Sequence, residues 1–174
     1  ELCNLDGGLS RIPDKKEQNR LLRRMISMAP GERVPRHRLI RNLIDQGEFE
    51  KAETEIRVFN YDFGSDGPVH RYKIKLMVAR AARAPGLLDE DRIAILEQAQ
   101  ELASTGVSKF PNNKSILSAY AELGLEYLRR TGSYSFFDVA MDELKAAEVR
   151  LGDADITTMI SRFERRAAGS EKDF

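Results

Sequence analysis

Between Leu21 and Phe163, apolar residues return every three or four positions, and no stretch of four to eight residues alternates cleanly or is rich in β-branched side chains. Such spacing puts apolar groups on one side of a helix and cannot line one face of a strand, so the chain is expected to be all-α. Helix-breaking residues cut the pattern into segments. They are Pro30-Gly31, Gly47, NYDFGSDGP from Asn60, APGLL from Ala84, KFPNN from Lys109, TGSYSFF from Thr131, and Gly152.

These punctuations predict the helices. The first runs from Asp14, a good N-cap, through Leu21, Leu22, Met25 and Met28, with a basic opposite face. The second spans about Pro35 to Gln46 and ends at Gly47, which supplies the left-handed backbone of a tight turn. A third follows at once, carrying Phe49, Ala52, Ile56 and Phe59, so the two fold back as an antiparallel hairpin. A second hairpin pairs Val69–Arg83 with a helix from Asp89, its expected N-cap, to about Thr105. The third pairs the helix in Ser118–Gly132 with one through Val139, Met141, Leu144, Ala147 and Val149. A last helix, capped by Asp153 or Asp155, shows Ile156, Met159, Ile160 and Phe163 on one side and reads as a lid.

At 174 residues, 41% hydrophobic and 32% charged, the chain suits one domain with a sizeable core. The net charge of zero hides an asymmetry: residues 1–41 hold ten Lys/Arg against five Asp/Glu, and residues 42–174 hold eighteen against twenty-three. Cys3 is the only cysteine, which forbids an internal disulfide, and no apolar run reaches the length of a membrane span. A cytoplasmic location without membrane association is the resulting expectation. Beginning at Glu1, the chain is expected to be a fragment or a processed product.

Within SAYAELGLEYLRRTG, Tyr120, Leu123, Gly124 and Tyr127 stand in the order aromatic, Leu-Gly, aromatic, an order that a lone amphipathic helix does not require. Glycine lets a neighbouring helix approach closely while the aromatics fill the space beside it. Small residues recur inside the second helix of each hairpin, at Ala52, Ala99 and Ala140.

Here the chain resembles the tetratricopeptide repeat family. The third hairpin matches best, with Ala140, Leu144 and Ala147 on its second helix. In the first, Gly47, Phe49, Ala52 and Ile56 match, but Arg36 stands where the family prefers an aromatic residue. The second retains Tyr72, Leu76, Ala99, Ala103 and Pro111, with a longer loop between its helices. The alanines recur at 47 and 41 residues, against about 34 for the family unit. HEAT or armadillo helices, or a bundle without repeats, therefore stay open.

The resemblance implies antiparallel hairpins stacked as a right-handed solenoid of about three repeats over residues 35–152. A basic segment with one helix precedes it (1–34), and a C-terminal capping helix and tail follow it (153–174).

Chemistry is hard to find. His37 and His70 are the only histidines, so no clustered metal ligands occur, and no Gly-x-Ser-x-Gly elbow is present. DGGLS and GSDGP lack the lysine of a phosphate loop and read as turns, while the DED run at 89–91 suits a helix start. We expect a non-enzymatic chain that needs no cofactor and no metal.

The resemblance implies an adaptor or scaffold module that binds an acidic peptide or partner helix in a concave groove. Carrying over the family's groove-facing spacing gives His37, Arg41, Lys73, Met77, Arg80, Leu125 and Arg129 as partner-binding residues on one surface. The family's carboxylate-clamp asparagines are not found. A regulatory or oligomerising domain of a larger enzyme is an alternative, and self-association fits it. A second alternative, nucleic-acid binding through the arginines at 20, 23, 24, 33, 36, 38 and 41, is disfavoured by the neutral net charge and the lack of an RNA-binding aromatic motif.

Overall fold

The computed structural model describes residues 14–64 and 67–170, and among them every regular element is an α-helix, with no strand. Cys3, DGGLS and two residues of GSDGP lie outside the described residues. In chain order the helices are α1 (Lys15–Met28), α2 (Arg33–Asp45), α3 (Phe49–Phe63), α4 (Gly67–Arg83), α5 (Asp89–Lys109), α6 (Lys114–Thr131), α7 (Ser135–Leu151) and α8 (Ala154–Ser170).

The ends of these helices follow from local chemistry. The Asp14 carboxylate accepts from the Lys16 amide at 2.9 Å and caps α1. Gly47 takes φ +74°, and the amides of Glu48 and Gly47 donate back to the carbonyls of Leu43 and Ile44, closing α2 with three residues left before α3. Asp89 is the first residue of α5 rather than its cap; Asp91 supplies the capping contact by accepting from the Leu88 amide at 3.3 Å. Asn113 caps α6 through the amides of Ser115 and Ile116, and Asp153 accepts from the Asp155 amide at the start of α8.

Each helix packs on its neighbours in sequence, and α2, α4, α6 and α8 also touch in succession, α2 on α4, α4 on α6 and α6 on α8. The even-numbered helices thus form a row, flanked by the odd-numbered ones. Two apolar cores result. One gathers Leu22, Leu39, Leu43, Phe49, Ile56, Phe59, Val69 and Tyr72 from α1 to α4. The other runs from Ile74 and Ala81 of α4 through α5, α6 and α7 to Phe163 of α8. Helix α4 belongs to both.

Ala52, Ala99 and Ala140 are fully buried. A side chain at Gly124 would place its Cβ 2.6 Å from the Phe137 Cα, so only glycine lets α6 and α7 come this close. Beside it the rings of Tyr127 and Phe136 stack at 3.8 Å, and Tyr120 accepts a hydrogen bond from the Gln100 side chain of α5. On α2, Arg36 is buried. Its guanidinium pairs with Asp62 of α3 at 2.9 Å and lies 5.8 Å from the Phe63 ring centre, so the pair and the ring hold α2 to α3.

Several arginines are consumed in holding helices together. Arg83 donates to the carbonyls of Ile44 and Asp45 at the C-terminus of α2, and Arg92 to Ala81 and Ala84 at the C-terminus of α4. Those carbonyls have no partner within their own helix, and a cation there also favours the helix dipole.

Candidate functional site

Four sides of α4 can be told apart. Val69, Tyr72 and Leu76 enter the first core, while Ile74 and Ala81 enter the second. Arg80 turns to the flank, where it meets Glu53 at 3.3 Å and Glu50 at 3.8 Å on α3. Lys75 lies on the side opposite that flank, roughly 140° around the helix from Arg80 at 100° per residue, and reaches Glu122 of α6 at 3.1 Å. The open face of the helix row is therefore the face that carries Lys75 and Glu122.

Between α2 and α4 that face holds a pocket of about 190 Å³ bordered by Arg41, Ile44, Asp45, Arg71, Tyr72 and Lys75. Arg71 lies with its guanidinium carbon 5.1 Å from the Tyr72 ring centre. The Tyr72 hydroxyl is hydrogen-bonded to His37 Nδ1 at 2.9 Å, and His37 packs on Phe59. Burial raises the Tyr72 phenol above its ordinary pKa, against the opposing pull of Arg71 and Arg41. Asp45 pairs outward with Lys15 at 3.5 Å, and Lys75 is taken by Glu122. Arg41 and Arg71 pair with no carboxylate among the described residues.

The structure divides the seven residues expected to share one surface. Arg41 and Arg129 lie on the open face, Arg129 seven positions after Glu122 and so within roughly 20° of it. His37 is half-buried between α2 and α4. Lys73, seven positions before Arg80, falls with it on the flank towards α3, on a face separate from Arg41. Met77 is half-buried against the second core, and Leu125, 1% exposed, is part of it. The expected register is off by two residues on α4: the open-face positions are Arg71 and Lys75 rather than Lys73 and Met77. Two buried stripes, Val69-Tyr72-Leu76 and Ile74-Ala81, bracket the open face and were the signal that could have set it.

The arginines considered for nucleic acid do not form one patch. Arg36 is buried, Arg41 is on the open face, and Arg20 and Arg23 sit on α1 with Glu17 and Glu55 as partners at 2.8 and 3.8 Å. Near them a shallow hollow of about 370 Å³ contains Lys16, Arg20, Arg23 and Lys51, but Glu48 also lines it and Lys51 pairs with that carboxylate. Among the described residues no group of three or more potential metal ligands occurs, and no helix is long and apolar enough to cross a membrane.

Comparison with known proteins returned no match, whether to a family model, a curated protein or a solved structure.

Proposed function

We propose that the chain is a non-enzymatic protein-interaction module, a tetratricopeptide-like right-handed stack of hairpins whose open face receives an acidic peptide segment. The succession α2–α4–α6–α8 supports a stacked reading, since in a helical repeat each unit packs only on its neighbours. The observation that carries the functional reading is the pair of guanidiniums, Arg41 and Arg71, beside one pocket with no carboxylate partner. Arg83 and Arg92 cap helix ends, and Arg36, Arg80 and Arg130 meet acidic side chains; Arg41 and Arg71 are disposed to meet charge from outside the fold. Arginine makes paired hydrogen bonds to carboxylate and phosphate, and that geometry suits capture of an acidic side chain. Farther along the same face, on α6, Arg129 already lies 3.8 Å from Glu126.

The test is a pull-down from cell lysate with the wild-type chain and with Arg41→Glu/Arg71→Glu, beside Arg80→Glu as a flank control, each with and without nuclease. A protein retained by the wild type and the flank control, but lost by the open-face variant, is the expected result. Recovery of nucleic acid, or of proteins that disappear on nuclease treatment, would overturn it.

A further inference from the structure

We infer that the pocket between α2 and α4 is a subsite for a phosphoryl group carried on a serine or threonine of the bound peptide. The inference rests on the peptide-binding reading above and specifies its chemistry. Arg41, Arg71 and Lys75 reach the pocket from two helices, the Tyr72 side chain lines it, and its one acidic wall residue, Asp45, is already paired with Lys15. With Lys75 paired to Glu122, two positive charges are left without a counter-charge.

A carboxylate offers one negative charge and two oxygens. A phosphomonoester brings about −1.5 to −2 charge near neutral pH and three acceptor oxygens. The second matches the charge left over. The pocket is also built rather than incidental. Arg71 lies over the Tyr72 ring, Tyr72 is 2% exposed and hydrogen-bonded to His37, and His37 is wedged against Phe59 of α3. Such backing limits the freedom that Arg71 loses when it meets an anion, which is where long basic side chains otherwise spend affinity.

The experiment uses the whole chain and two probes. Degenerate peptides with a fixed central phosphoserine, glutamate or serine are immobilised, and retention is measured for wild type, Arg71→Gln and Arg129→Gln, whose fold is checked by thermal unfolding. In parallel, phenyl phosphate is titrated into isotope-labelled protein and the backbone amide signals are followed. The phosphoserine set should retain the wild type about tenfold better than the glutamate set, and Arg71→Gln should erase that preference while Arg129→Gln keeps it. Phenyl phosphate should move the signals of Arg41, Arg71 and Tyr72 saturably. Equal retention by glutamate, or a phosphoserine preference untouched by Arg71→Gln, would overturn the subsite and leave the peptide module standing. Saturable phenyl phosphate shifts with no peptide set retained would overturn the peptide module, and this use of the pocket with it.

Discussion

The two cores that meet at α4 hold together by different means. In the first, Asn19, Arg36 and Asn42 are each 8% exposed, and they are bonded to one another or to neighbours across helices: Asn42 donates to Gln18 and Asn19, Asn19 donates to Gln46, and Arg36 meets Asp62. The second is largely apolar and close-packed. Ala99, Ala103, Ala119, Ala121, Ala140 and Ala147 are fully buried there, and Gly124 brings two backbones together. A hydrogen-bonded core should tolerate a change of shape but not the loss of a partner, and a close-packed core the reverse.

The largest effect expected from that contrast is at Gly124. Gly124→Leu forces α6 and α7 apart and should cost about 3 kcal/mol, read as a shift in the urea midpoint of the helical circular dichroism signal. An unchanged midpoint would break the close-packing account. Next come Arg36→Ala and Arg36→Met, which both leave Asp62 without its partner; each should cost about 2 kcal/mol, methionine scarcely less than alanine although it keeps the volume. If methionine restored wild-type stability, the filled volume rather than the charge would be holding α2 to α3. Asn42→Ala removes one partner from Gln18 and Asn19 and should cost about 1 kcal/mol by the same measurement.

The smallest effect separates the cores by titration. Burial raises both Tyr72, in the first core, and Tyr120, in the second, above the usual value of 10.0. A folded-state pKa above the unfolded one gives stability that is present below the unfolded pKa and is lost as pH rises through the folded value, so both tyrosines should make unfolding easier above about pH 10. Only Tyr72 is held back by Arg71 and Arg41. Arg71→Gln should therefore raise the phenolate titration of Tyr72 further and leave that of Tyr120 in place. Equal movement of both would separate Arg71 from the pocket.

Local features of the fold were legible in the sequence. Breakers separated the helices, although residues 60–63 and 135–137, expected within breaks, belong to α3 and α7; Gly47 announced its turn, and Gly124 with its aromatics announced a close crossing. Burial of Ala52, Ala99 and Ala140 followed from the recurrence of small residues. What escaped depended on angle or on distant partners. Val139 and Val149 are 46% and 86% exposed, because the buried stripe of α7 runs through Phe137, Ala140, Leu144 and Ala147, a rotation that apolar character alone did not fix. Lys73 and Arg80 were drawn onto the face of Arg41 for the same reason: a two-residue error turns a helical position by roughly 200°. Arg36 could not be read as buried, since its counter-charge, Asp62, lies on the next helix. Likewise nothing near Arg83 in sequence announces the α2 carbonyls it caps.

Every substantial helix–helix contact joins elements no more than two places apart in chain order. The loops that must close to form them are therefore short, and their entropic cost is met in small instalments rather than in one long-range step. A chain wired in this way should fold quickly and can assemble in the order in which it leaves the ribosome, each new helix finding its seat on the two before it.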